Sequence, residues 1–356
     1  PDKGASNEWK LVFNDRGHQG VYADVILVNG VPWPHLQVKR RKYFFRILNA
    51  SASRTYQLTL SQSETVQTRN DNAYKLTVVG SDAGLLAEPV PLIASNALRI
   101  GVAERYGVVI DFSQFPADTK SVFLRNLTFP NNLGPESQVI MRFDLLDNPV
   151  EDSCDLPNPL GIMTDRQALV DRAVETRTFR FGRSNQWTIN GRTWSPFHVE
   201  ASPGQCDIEI WNLVNMGGWA HPVHIHLVDF RVIDRNGRPP LSYEQGWKDV
   251  VVLNPTETVR VVAKFAPHRG KYMMHCHNIV HEDHDMMTQF EVGTGGQDPL
   301  SDRARPLPAP TLGSTTPPPL IEDLPCKCYE PLPYNCPVEI EVPEDCKTTG
   351  TNSGQS

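Results

Sequence analysis

The 356 residues carry 34 Lys and Arg against 41 Asp and Glu, a formal net charge of -7, and include 30 prolines. A chain of this length exceeds one ordinary core and calls for two domains plus extensions. The acidic balance excludes a basic stripe that could replace counterions on nucleic-acid phosphates, and with no run of 18 apolar residues nothing reads as a membrane-spanning helix.

The chain opens at Pro1 with neither an initiator Met nor a signal peptide, which predicts a processed protein or one cut from something longer. Downstream, Tyr43 to Leu48, Tyr106 to Phe112, Asp207 to Leu213 and Val259 to Phe265 are short apolar or alternating runs bounded by Gly, Pro, Asn and Asp. They predict strands, and helical periodicity is almost absent, so the expected class is all-β with Greek-key sandwiches. An internal repeat, Ile26-Leu-Val-Asn-Gly-Val-Pro-Trp-Pro34 echoed by Trp187-Thr-Ile-Asn-Gly-Arg-Thr-Trp-Ser195, predicts two homologous sandwiches rather than one barrel. The expected division is a first domain over 1–150, a Pro-containing polar linker over 151–175 and a second domain over 176–295. Residues 296–356, with Pro317-Pro318-Pro319, are too poor in apolar residues for a core and read as an extended tail.

Seven cysteines, Cys154, Cys206, Cys276, Cys326, Cys328, Cys336 and Cys346, leave at least one thiol outside any intrachain disulfide scheme. Cys276 sits between two histidines and is the odd one out, and the other six suit three disulfides. The sequons at Asn49 and Asn126 fit the same oxidising, secretory setting. Secretion is therefore expected.

Seven of the eleven histidines fall into two blocks, His221-Pro-Val-His-Ile-His226 and His275-Cys-His-Asn-Ile-Val-His-Glu-Asp-His-Asp-Met286. A lone strand histidine is more often a core or surface residue than a ligand, but seven in two blocks ask for a metal. Residues two apart on a strand share a face, so His224 with His226 and His275 with His277 offer four imidazoles on one side while Cys276 points to the other. Two His, one Cys and a weak axial Met make a blue-copper site, and His221, Cys276, His281 and Met286 supply that set. Tetrahedral zinc is the competing metal, but it needs neither the Met nor histidines flanking the thiolate. His18, His35, His198 and His268 receive no role, and His284 is expected behind the ligands.

The blocks His221 to Phe230 and His275 to Met287 together resemble the two C-terminal copper motifs of multicopper oxidases, most nearly the bilirubin oxidase and spore-coat laccase groups. The resemblance extends through Val28 to Pro34, Arg41 to Tyr43, Ala103 to Tyr106, Phe181 to Arg183, Trp187 to Gly191 and Lys248 to Val251, across both domains and not into the tail. It implies two cupredoxin-like domains, the first matching the family's copper-free middle domain. It also implies that His221, Cys276, His281 and axial Met286 bind type 1 copper, that His224 binds type 2 copper, and that His226, His275 and His277 bind the type 3 pair. The family's N-terminal domain adds four histidines in two further His-x-His motifs, which these residues do not contain, so a partner domain or chain carrying them is expected.

The resemblance further implies an enzyme that takes single electrons from phenols, aromatic amines or tetrapyrroles at an exposed edge of His281 and reduces O2 to water. Electrons would pass from Cys276 through its neighbours His275 and His277. Glu282 matches a proton-delivering carboxylate, with a solvated surface Glu as the bland alternative. Trp219 shapes access to the type 1 site or simply packs in the core. A type 1 electron-transfer module without oxygen reduction, and a metal oxidase using Asp283 and Asp285, stand as alternatives.

Overall fold

A computed structural model describes residues 14–64, 73–127, 138–147, 155–161 and 163–293, with the backbone of a short strand pair, Asp2–Lys3 and Trp9–Lys10. The predicted tail lies outside the described residues, as do Cys154, Cys326, Cys328, Cys336 and Cys346. Cys276 is a free, buried thiol, and Cys206 is disulfide-bonded.

Two β-sandwiches follow one another along the chain, and the fold is all-β and cupredoxin-like. In the first, Leu98–Ile100, Tyr56–Ser61, Ser121–Asn126, Val139–Leu146 and His35–Lys39 form one sheet in that order. The facing sheet is Lys42–Leu48, Arg105–Asp111, Leu76–Ser81 and Gly84–Leu92. Leu60, Val108, Phe112 and Phe143 fill the space between them. The second sandwich packs Trp187–Ile189, Glu175–Arg183, Ile208–Asn215, Thr258–Lys264 and Phe230–Arg235 against Val199–Ala201, Met287–Val292, Gly270–Cys276, His221–Ile225 and Val250–Leu253. Its core holds Phe181, Trp187, Trp211, Phe230 and Phe290.

The internal repeat is a pair of hairpins. Asn29 and Gly30 have φ of 50° and 82°, Asn190 and Gly191 of 52° and 76°. Asn-Gly is the dipeptide that tolerates two left-handed residues in succession, which is what a two-residue hairpin turn requires. The stretch expected to be linker carries a helix, Arg166–Asp171, capped by Asp165, whose carboxylate accepts from Gln167 N at 2.9 Å. Leu169 of this helix is buried with Ile208 and Val262, so the helix is part of the second sandwich's outer surface.

The two sandwiches are joined by buried charge. Lys248 Nζ lies 2.9 Å from Asp82 Oδ2 and 3.0 Å from Glu104 Oε1, and it donates to Tyr106 Oη at 3.1 Å. Burial lowers the ammonium's affinity for its proton, but the Glu104 and Asp82 carboxylates outweigh that and raise it well above the ordinary lysine value. Arg105 grips Asp249 through two hydrogen bonds of 2.6 and 2.7 Å. Gly101 closes the seam: a Cβ there would overlap Val252 Cγ2. Asn49 and Asn126 are buried, and Asn49 Nδ2 donates to Arg54 O at 2.7 Å and Ile100 O at 3.1 Å. Neither sequon asparagine is therefore presented at the surface of the described residues.

Candidate metal centre

Strand alternation sorts the histidine blocks onto two faces. The His221–Ile225 strand pairs with Gly270–Cys276 so that Val223 faces Cys276 and His224 faces His275. Val223, Ile225 and Cys276 point into the hydrophobic core. His224 and His275, one residue out of phase, occupy the opposite face.

On the core side, His221, Cys276 and His281 converge. The two Nδ1 atoms are 3.2 Å apart, and each is 3.5 Å from Cys276 Sγ. A triangle with those edges has its three corners about 2 Å from its centre, the length of a metal to imidazole or thiolate bond. Met286 is buried beside them, its N–H donating to His281 O and its carbonyl accepting from Cys276 N, both at 3.0 Å. The short helix Ile279–Asp283, capped by the Asn278 side chain, returns the chain so that His281 faces Cys276. Burial makes both imidazoles hard to protonate, taking His281 to about 3 and His221 well below its usual value with help from the neighbouring His281. They are held as neutral donors. Burial pushes the Cys276 thiol up, so a metal cation is needed to make it a thiolate here.

On the other face, His224, His226 and His275 place donor atoms within 4.8 Å of one another. His226 Nε2 and His275 Nε2 are 3.2 Å apart. His224 Nδ1 donates to Asp249 O at 2.8 Å, which turns its Nε2 toward the cluster. Because Asp249 is gripped by Arg105, the first sandwich helps to orient His224 of the second. His277 lies at the edge: its ring centroid is 5.2 Å from that of His275, and its buried Nδ1 has no hydrogen-bond partner. Glu282 Oε2 sits 3.2 Å from His275 Nδ1. Partial burial opposes ionisation of Glu282, but the hydrogen bond and the charges of His275 and His277 prevail, so its carboxyl is held below the ordinary range.

Residues 169–296 match the family model described as multicopper oxidase. The chain is 41% identical over 286 residues to a bilirubin oxidase from Albifimbria verrucaria, covering 76% of this chain and 48% of that protein. It is 32% identical over 295 residues to a laccase from Bacillus subtilis, covering 76% and 54%. The solved structure of the McoA multicopper oxidase from Aquifex aeolicus superposes with a TM-score of 0.68 at 31% identity, over 79% of this chain and 62% of that one. Residues 169–296 carry the multicopper oxidase match, and both sandwiches are similar to members of that family. The chain spans about half the length of the curated relatives it matches.

Copper is the metal this family implies, and the donors fit it. Two imidazoles, a thiolate and a thioether in a dry pocket suit copper better than zinc, which has no use for the sulfur of Met286. The unpartnered Nδ1 of His277 and the facing Nε2 atoms of His226 and His275 are what ligands look like before their ions are counted.

One expectation fails. His281 has no exposed edge: it is 1% exposed, its Nε2 meets Gln19 O at 3.0 Å, and the Trp187 ring lies 3.8 Å away. His221 is fully buried too, but it borders a cavity of about 560 Å³ lined by Arg180, Arg183, Trp187, Met216 and Trp219 among others. Trp219 lines that cavity and packs partly against the core. Reading by spacing missed Trp187, Gln19 and Asn278, all in contact with His281 or its partners. Asn278 bears on His281 Nε2 at 3.1 Å and accepts from Ser53 Oγ at 2.7 Å. Its position directly after His277, as the helix cap, was the available signal. His18, given no role, lies against His284.

Proposed function

We propose that this chain supplies the type 1 site and half of the oxygen-reducing cluster of a copper oxidase acting on phenols, aromatic amines or tetrapyrroles. The remaining cluster ligands come from a segment outside these 356 residues, on another chain or elsewhere in a longer one. Bound copper would supply one-electron exchange with the reductant at one set and reduction of O2 to water at the other. The observation that carries this reading is covalent: Cys276 belongs to the buried donor set and its neighbour His275 to the other, so one peptide link joins them.

The cavity supports the substrate class. Trp187 and Trp219 offer ring faces, and the Arg180 and Arg183 guanidinium groups favour a reductant carrying a carboxylate. His221, which lines the cavity, is then the ligand nearest the donor. Glu282, hydrogen-bonded to His275 and partly solvent-exposed, holds a proton-accepting oxygen at the cluster and can pass protons inward from water. Export to an oxidising compartment belongs to the same reading and rests on the cysteines.

The test is to load the purified chain with Cu(II) and record its visible and electron paramagnetic resonance spectra. An intense blue band that a phenolic reductant bleaches is the expected result. Colourless copper binding, or exclusive retention of zinc, would overturn the reading.

A further inference from the structure

A third group of donors meets outside the two sets. Asp15, His18 and His284 each offer a ligand atom, and these atoms lie within 4.8 Å of one another. His18 Nδ1 is 2.8 Å from Asp15 Oδ2. The His18 and His284 rings are in tilted contact, with centroids 3.7 Å apart and planes 38° from parallel. His284 Nδ1 donates to Val280 O at 2.8 Å, which leaves its Nε2 as the lone-pair nitrogen. We propose that Asp15, His18 and His284 bind one divalent first-row transition ion, and that this ion pins the 14–20 segment over His281.

The donor chemistry selects the ion. Two imidazoles and one carboxylate suit Zn(II), Cu(II), Ni(II) and Co(II), and leave open positions for water. Hard cations such as Ca(II) would find one carboxylate oxygen and no cage.

Local geometry explains why the loop presents these groups. Arg16, Gly17 and His18 are left-handed in succession, with φ of 55°, 68° and 66°. Two non-glycine residues in that region cost free energy and persist only where the surroundings hold them. The Asp15 backbone oxygen accepts from Gln19 N and Gly20 N at 2.8 and 3.0 Å, and its side chain accepts from Gly17 N at 3.1 Å. The outcome is a tight coil that throws the His18 ring back over His284.

The position gives the site a consequence. Trp187 Nε1 donates to His18 O at 2.6 Å, Arg183 donates to Gly17 O at 2.8 Å, and Gln19 O receives His281 Nε2. The same loop thus covers the buried donor set from outside, while His284 follows His281 by three residues. An ion shared between His18 and His284 cross-links the cover to the segment that bears His281 and Met286. Nothing here depends on what the copper centre oxidises.

Zn(II) is the probe. The chain, loaded with one equivalent of Cu(I), which the sulfur donors of the buried set select, is titrated with Zn(II), desalted and analysed for bound zinc, alongside His18→Ala and Asp15→Asn. His18 is exposed, so its loss leaves the fold intact. The parent should bind one more zinc than His18→Ala, and Asp15→Asn should bind that zinc at least tenfold more weakly. Zinc taken up at His224, His226 and His275 is common to all three proteins and drops out of the difference. In parallel, Zn(II) should slow trypsin cleavage after Arg16 at least tenfold in the parent and leave His18→Ala unaffected. Equal zinc counts and equal cleavage in parent and His18→Ala would reduce the group to a hydrogen-bonded cluster in tilted ring contact. The same titration on copper-free chain separates this result from any failure of the copper reading.

Discussion

His281 gives its Nε2 to the backbone oxygen of Gln19 at 3.0 Å, and with Asn278 and the Trp187 ring this contact covers the outer side of the buried His221, Cys276 and His281 set. On the reading proposed above, a reductant approaches from the other side, where the cavity borders the buried His221 and Trp219. Trp219→Ala should raise the half-saturating concentration of a phenolic reductant about three- to tenfold, since ring-on-ring contact is worth about 0.5–1.5 kcal/mol. The position of the blue band should not move. Stopped-flow bleaching of copper-loaded chain reads both quantities, and an unchanged concentration dependence would return the entry route to His281.

Cys276 is fully buried, with its sulfur equidistant from two Nδ1 atoms. Cys276→Ser replaces the soft donor by a hard, poorly ionised one of similar size, so the blue absorption should vanish while the fold persists. Retention of the band in the Ser variant, measured at equal copper content, would remove Cys276 from the centre.

Glu282 touches His275 but none of the buried donor set. Glu282→Gln preserves the hydrogen-bonding shape and removes the proton-accepting oxygen. In protein assembled with the segment that completes the cluster, oxygen uptake should fall by about 100-fold or more, the lower end of what a positioned acid or base contributes. The type 1 spectrum and its rate of bleaching should be unaltered. A solvated surface Glu would give no such split between reduction and reoxidation.

Much of this site was legible because strand geometry has a period of two. Counting along each strand puts His224 with His226, and His275 with His277, on one face and Cys276 on the other; the pairing of Val223 with Cys276 and His224 with His275 comes from the structure. What escaped the count is long-range. Gln19 reaches His281 across 262 positions and Ser53 reaches Asn278 across 225, contacts with no local signature. The helix Arg166–Asp171 was hidden in a polar, Pro-bearing stretch because a single buried residue, Leu169, gives no periodicity to detect. His277 was expected beside His275 by spacing alone. It falls just past the end of the strand, where alternation no longer fixes direction.

Lys248 stands between Asp82 and Glu104 with no solvent on any of the three. Lys248→Met would strand two buried carboxylates and should destabilise the chain by about 3–5 kcal/mol in chemical denaturation at neutral pH. Burial already raises the Glu104 carboxyl above its ordinary value, and without the cation nothing offsets that burial. Folding of the variant then takes up protons, so its deficit should shrink as pH falls and grow as pH rises through the folded values. A deficit independent of pH would mean that the loss is one of packing.

The last prediction concerns the unfinished cluster. His224, His226 and His275 meet on one face, with His277 at their edge, and among the described residues no other histidine joins them. Three or four imidazoles cannot saturate three metal ions, and ions with open positions bind weakly and exchange readily. The buried set is different: His221, Cys276, His281 and Met286 all come from one sandwich and are enclosed. Copper loading of His18→Ala, which lacks the Asp15–His284 site, followed by desalting should therefore leave about one tightly held ion per chain, at the thiolate. A reductant should bleach it once, and oxygen should not restore the colour at a useful rate, because no competent cluster lies beyond His275. Addition of a polypeptide bearing two His-x-His motifs should bring the copper count to about four and start continuous oxygen consumption. The decisive measurement pairs copper content with oxygen uptake on chain verified to lack any companion. Sustained four-electron reduction by that material would show that copies of this chain complete one another's clusters, and would replace the partner proposed here by self-association.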